Sequence, residues 1–348
     1  MSTATTASKR IEALDYLRGF FILVILIDHL WRWPNLFEYI SGRGELWVSA
    51  AEGFVIISGL LVGYVRGRKG LKKSFAEISK KLIFRGIMLY IWTLITTVSL
   101  VAATWYLTFK SNVAWVPYDK LDWANVIHDT LTLEYAHTLT HFLYLYAIFL
   151  VISPILIWLL RRGVWWLGAI ISIAGWWYGF THDSEWMQWQ ILFFLPTIAG
   201  YYLDQIIAFF RRIPSPAIWA VTLCGLASIV ISALIILPTD PGMYKEEVFS
   251  REPLTLARIG LSFVWFVSLA WLFNKLLPWL EKTVGWLLLP FGTRSLTAYI
   301  VHSFVLMGLA LSIPMTSGIW LNTIVACGAI LLTWAVVQIP GINRVIPR

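Results

Sequence analysis

The chain has 348 residues, 59% of them hydrophobic and 13% charged, with a mean hydropathy of +0.73. Apolar runs recur at the length needed to span a bilayer core of about 30 Å, which excludes a soluble enzyme and points to an all-α, polytopic integral membrane protein. The net charge of +8 implies no nucleic-acid partner, because membrane topology accounts for it, and Cys224 and Cys327 read as small packing groups within apolar runs.

Lys9 and Arg10 precede the first apolar helix, and Trp31-Arg32-Trp33-Pro34 follow it with no small-residue cleavage site. The start therefore reads as an uncleaved signal anchor behind a short cytoplasmic tail over residues 1–12. Ten spans are expected, at 16–33, 46–65, 82–108, 138–160, 164–181, 187–210, 216–237, 255–277, 284–310 and 318–338. With the N-terminus inside, most Lys and Arg fall on the cytoplasmic face and most acids on the outer one, so both termini are expected in the cytoplasm. The connector Arg66 to Lys81 is strongly basic, either as a topogenic signal near anionic headgroups or as a site for an anionic cosubstrate. Outer connectors at 34–45, 109–137 and 238–254 can roof a cavity but not form a soluble domain, so residues 1–348 read as one transmembrane domain.

The chemistry begins in the first helix, with Arg18 near its start and Asp28-His29 near its far end. An ionisable group inside lipid is expensive, which makes these residues functional candidates. In the second span Glu52 lies at a depth similar to that of His29, and Ala50, Ala51, Gly53, Ser58, Gly59 and Gly63 allow close helix approach. A carboxylate would hold one nitrogen of His29 as N–H and leave the other as a general base. Asp28 is adjacent in sequence and points about 100° away on a helix, so Glu52 is the expected partner.

In the ninth span Ser295, Tyr299 and His302 stand at i, i+4 and i+7 and form a polar stripe, for inter-helix hydrogen bonding or for lining a substrate tunnel. Arg294 at its inner end could meet phosphate or snorkel to headgroups. Tyr144, Tyr146, Trp189 and Gln190 offer the aromatic and amide groups that hold a sugar, with an interfacial aromatic belt as the alternative. His137 and His141 with Glu134 give only a weak metal pattern, and no metal site is expected.

Arg18, ten intervening residues and His29, within the context Leu14 to Phe20, resemble the Arg-x10-His signature of the transmembrane acyltransferases called acyltransferase 3. The closer resemblance is to the OpgC branch, which succinylates periplasmic glucans. It rests on Ile27-Asp28-His29, on the stretch Ser49 to Gly59, and on the regions around Tyr146, Trp189-Gln190 and Gly292 to Leu296. Where acyltransferase 3 proteins often carry Arg-x-x-Arg in the third helix, this chain has Lys81-Leu-Ile-Phe-Arg85. The resemblance implies a small acyl group, acetyl or succinyl, moved from cytoplasmic acyl-coenzyme A to a hydroxyl of an extracytoplasmic glycan in a bacterial inner membrane. His29, Glu52 and Asp28 would form the catalytic group, and Arg18, Arg85, Lys81 and Arg294 would hold the coenzyme. Ser58, Tyr146, Trp189, Gln190, Ser295, Tyr299 and His302 would line the tunnel or hold the acceptor. Acyl-coenzyme A would be a cosubstrate with no permanently bound cofactor, and the partners would be the glycan, membrane lipid and, as one arrangement left open, a second copy in a homodimer. The rival from another class is a proton-coupled transporter or flippase using Asp28, His29, Glu52 and His302.

Overall fold

The computed structural model describes residues 2–106, 116–243, 247–342 and Ile346. Among them the chain is helical, with one isolated bridge between Arg251 and Leu254 as its extended pairing. Part of the 109–137 connector, part of 238–254 and the end of the 82–108 span lie outside the described residues.

Helix α1 (Ser2–Leu30) runs without interruption through the segment expected as a tail, since no Gly or Pro breaks residues 2–18. From Tyr16 to Leu30 its apolar residues are nearly all buried. A helix that is apolar all round belongs in the interior, and α1 accordingly touches α3 (Ala50–Leu61), α12 (Leu256–Thr283), α13 (Gly285–Thr293), α14 (Ser295–Ser312) and α15 (Ile319–Gln338). Between α1 and α3 stand the one-turn α2 (Glu38–Ser41) and a 3-10 turn over Gly42–Gly44. Helix α3 starts at a capping box of Ser49 and Glu52 and passes into a π-helical stretch over Val62–Arg68.

The middle of the chain supplies α4 (Phe75–Tyr106), α5 (Trp123–Leu131), α6 (Phe142–Arg161), α7 (Trp165–Thr181), α8 (Glu185–Trp189), α9 (Ile191–Tyr201), α10 (Leu203–Phe210) and α11 (Ser215–Ile236). The molecule is a multi-pass membrane protein, but the count differs from the ten expected spans. Among the described residues seven helices are long and apolar enough to cross a membrane, and an eighth span results if the pair Glu185–Tyr201 and Leu203–Phe210, bent by 78°, counts as one. Helix α7 has only 17 residues, and α1 carries Asp15, Arg18 and Asp28 within its apolar stretch. The span expected at 284–310 is two helices, because Arg294 leaves helical geometry at φ −123° and ψ 38° shortly after Pro290.

Close backbone contact holds the centre together. A Cβ on Gly19 would collide with the carbonyl of Leu288, and one on Gly292 with that of Asp15, so α1 and α13 meet backbone to backbone. The α3 side repeats this against α9: Gly59 faces the carbonyl of Phe193, Gly63 that of Thr197, and Gly200 that of Leu60. Lipid tails are as apolar as leucine, so such dense packing supplies much of the association between membrane helices. Gly63→Ala is therefore expected to lower the thermal midpoint of the detergent-solubilised protein. Gly308→Ala, where a Cβ meets open space, should leave it unchanged or raise it slightly through helix propensity.

Candidate functional site

Arg18 and His29 are separated by roughly 16 Å of rise along α1, about three turns, and each sits in a different chemical setting. At the Arg18 level, Nη2 donates to Asp15 Oδ1 at 2.9 Å and Nε donates to the Gly292 carbonyl at 2.5 Å. That carbonyl is within reach because two glycines let α13 close on α1. The guanidinium is thereby fixed in the wall of a cavity of about 290 Å³ lined by Asp15, Arg18, Phe54, Ser58, Arg66, Lys81, Arg85, Tyr146, Phe193 and Ser295, among others.

Six residues singled out in the sequence thus meet in one place: Arg18, Ser58, Lys81, Arg85, Tyr146 and Ser295. Four cations against Asp15 as the one acid in its lining make the cavity electropositive. Lys81 also pairs with Glu77 at 2.7 Å, on an exposed face where such a pair holds weakly. Arg85 leaves its buried Nε without a hydrogen-bond partner among the described residues. Tyr146 donates to the Phe54 carbonyl at 2.9 Å, so its ring is anchored across α3. Arg294 lies elsewhere. It donates to the Val337 carbonyl at 2.6 Å and to Gln338 Oε1 at 3.2 Å, because the break before α14 turns it toward the carbonyls that end α15.

At the other level the partner of His29 is an imidazole. Nδ1 of His29 lies 2.9 Å from Nε2 of His302, with ring centroids 5.2 Å apart, and Tyr299 packs edge-on at 6.1 Å. The polar stripe of α14 is therefore split between the two levels: Ser295 lines the cavity, and Tyr299 and His302 surround His29. Asp28 points toward Gly44 and Ser41, away from the His29 ring, as adjacent helical positions require.

The expected pairing of Glu52 with His29 is corrected by the structure. Glu52 Oε2 accepts from Ser49 N at 3.0 Å and from Ser49 Oγ at 2.5 Å, and Oε1 accepts from Arg258 Nε at 2.5 Å. Arg258 continues to the Phe249 carbonyl at 3.0 Å. Glu52 does reach a matching depth, but a buried carboxylate takes the strongest neutraliser in range, and the guanidinium from α12 outbids a neutral imidazole. It ties the start of α3 to α12 and to the loop before it.

That loop delivers Arg251, which the sequence reading passed over. Leu254 is pinned by its N–H to Gln188 Oε1 at 2.6 Å and by its carbonyl to Trp176 Nε1 at 3.0 Å. Its close neighbour Arg251 then lies over the rings of Phe142 and Trp189, at 5.6 and 5.5 Å, with Nε buried and unpartnered among the described residues. Trp189 is thus a platform for a cation. Gln190, expected to hold an acceptor, is consumed by Ser172: Oε1 accepts from Ser172 Oγ at 2.7 Å and Nε2 donates to Ser172 O at 2.6 Å. His141 bonds both carboxylate oxygens of Glu185, at 2.7 and 2.8 Å, and Tyr144 donates to the same group. His137, just before the helix, accepts from Leu139 N at 3.3 Å, and burial pushes its imidazole down to about 4, so it stays neutral. Among the described residues no three or more His, Cys, Asp or Glu side chains converge to hold a metal.

A membrane bundle with an anion-receiving cavity at one level of a central helix, and an imidazole pair at another, can bind a charged donor and move a proton some distance from that charge. A family model described as OpgC protein matches residues 10–343, and the chain belongs to that family, one of membrane-associated, acyltransferase-like proteins. The likeness read from Arg18 to His29 and from Ser49 to Gly59 therefore extends over nearly the whole chain. No curated protein and no solved structure matches it.

The Glu52–Arg258 pair yields a direct test. Removing one partner strands a buried charge at a cost of about 3–5 kcal/mol, so Glu52→Ala and Arg258→Met should each sharply reduce the folded fraction by fluorescence-detected size exclusion. The double variant should recover part of that loss, and a fully additive loss would show that the two groups act separately.

Proposed function

We propose that this protein moves a small acyl group, acetyl or succinyl, from acyl-coenzyme A on the cytoplasmic side to a hydroxyl of an extracytoplasmic glycan. The observation that carries this reading is the convergence of Arg18, Arg66, Lys81 and Arg85 on one cavity about three turns along α1 from His29. Phosphate groups of the donor meet guanidinium groups well suited to them, above all Arg85, whose Nε has no hydrogen-bond partner among the described residues. Ser58, Tyr146 and Ser295 line the path by which the thioester rises toward the imidazole level.

At that level His29 acts as general base. The acceptor oxygen bonds to the thioester carbonyl carbon while its proton passes to the imidazole, and the carbon–sulfur bond then breaks as the thiol leaves with that proton. In a covalent acyl-histidine relay a nitrogen of His29 would instead bond to the thioester carbon as the carbon–sulfur bond breaks, and the acceptor oxygen would then displace the imidazole from that carbon, its proton going to the thiolate. Family membership, the many apolar helices and the basic cavity all support a donor entering from the cytoplasm, with both chain termini on that side.

Purified protein incubated with radiolabelled acetyl- and succinyl-coenzyme A should release free coenzyme A when a glycan extract is present. His29→Ala should abolish that release while the protein remains folded. Arg85→Ala should raise the KM for the donor by about tenfold, the loss of one charge-assisted contact, whereas Arg294→Ala should change it less than twofold. Solute movement into vesicles with no acyl donor, and no coenzyme release from any donor, would overturn the assignment in favour of transport.

A further inference from the structure

The two nitrogens of His29 face different surroundings. Nδ1 lies 2.9 Å from Nε2 of His302. Nε2 takes no hydrogen bond among the described residues, and the ring is only half-buried, whereas His302 is 1% exposed. Because Nε2 of His302 faces His29, its Nδ1 is left for the carbonyls of Ala298 and Tyr299 one turn back, which hydrogen-bond the ring.

A backbone carbonyl can only accept. Nδ1 of His302 therefore carries a proton, its Nε2 presents a lone pair, and Nδ1 of His29 must donate to that lone pair. The opposite tautomer would set the Nδ1 lone pair of His302 against carbonyl oxygens inside the protein and leave that buried nitrogen with no donor facing it. The backbone of α14 thus dictates, through two consecutive hydrogen bonds, that the lone pair of His29 sits on Nε2. The other groups in the field of His29 are Arg251, His137 and His141, along with Tyr299 edge-on, and the carboxylate of Glu52 is already taken by Arg258.

We infer that His302 is the positioning residue of the transfer reaction, fixing the tautomer and ring plane of His29 so that Nε2 is the atom that takes the acceptor proton. This rests on His29 being the general base and gives a neutral imidazole the task expected of Glu52. A neutral partner suits a site away from bulk water, since it orients the base without burying an unpaired charge.

The test compares steady-state coenzyme A release by the purified full chain in its His302→Leu, His302→Gln, His29→Ala and His29→Ala/His302→Leu forms, each normalised to folded protein. His302→Leu should lower kcat by about 100-fold, the usual scale of a lost acid–base arrangement, with the donor KM unchanged. His302→Gln, whose Oε1 can accept from Nδ1–H, should restore most of that rate, and the double variant should be no slower than His29→Ala alone. Near-normal kcat in His302→Leu beside an inactive His29→Ala would overturn the positioning role and leave the base intact. Loss in His302→Gln as deep as in His302→Leu, or an added loss in the double variant, would also overturn it. Normal turnover in His29→Ala would remove the base itself. If His302→Leu fails to fold, nitrogen NMR of histidine-labelled wild-type protein, with His29→Gln to identify the signal, decides the matter: a proton on Nε2 of His29 contradicts the proposal, and one on Nδ1 supports it.

Discussion

Everything in this fold answers to the enclosure of the second half of α1, residues 16–30, a largely buried segment that nevertheless carries charged or ionisable groups near both of its ends. A buried polar group costs free energy unless a partner is supplied, and a buried charge costs more. Helices around α1 are therefore arranged to bring donors and acceptors to two fixed levels. At one level α13 closes until its Gly292 carbonyl meets Arg18. At the other, α14 brings His302 to His29, and Arg32 just beyond the helix caps the carbonyls of Ile313 and Pro314. The glycine contacts that look like simple packing are what place a carbonyl where a guanidinium needs one.

Pairing of charge then divides the site. Asp15 neutralises Arg18, Glu52 neutralises Arg258, and Glu185 holds His141. Arg85 at one level and Arg251 at the other each leave a buried Nε without a hydrogen-bond partner among the described residues. The His29–His302 contact carries no carboxylate at all. Positive charge is thus left over at both levels, while the imidazole pair is orientated by a hydrogen bond.

The sequence made α1 legible because its signal is local: Arg18 and His29 stand at a spacing that any helix converts into depth. The basic cavity was legible for the same reason, since basic residues at a helix start can be placed without knowing their neighbours. Partners were not. The choice of Arg258 over His29 by Glu52 depends on how α12 leans against α3, two segments 206 positions apart in contact. Gln190 read as a sugar-binding amide because nothing in the string reveals Ser172 opposite it. Arg294 read as a phosphate ligand until the break after Pro290 turned it to α15. Arg251 left no periodic trace, being a loop residue whose position is set by the burial of Leu254.

The stripe on α14 joins these parts into one object. Ser295 belongs to the cavity and His302 to the imidazole pair, and the seven-position step from one to the other covers about 10 Å of rise on one face of a helix. Tyr299 stands midway and touches both histidine rings. In the proposed reaction a single rigid helix therefore sets the distance between the basic cavity that would hold the donor and the imidazole that would take the proton. For the donor proposed above, geometry of that kind favours a long, flexible arm over a compact one, because charge-binding groups in the cavity would not follow the reacting carbon. It also explains why the break before Ser295 is useful: freeing α14 from α13 at Arg294 lets α13 press against Arg18 while α14 tilts to bring His302 onto His29.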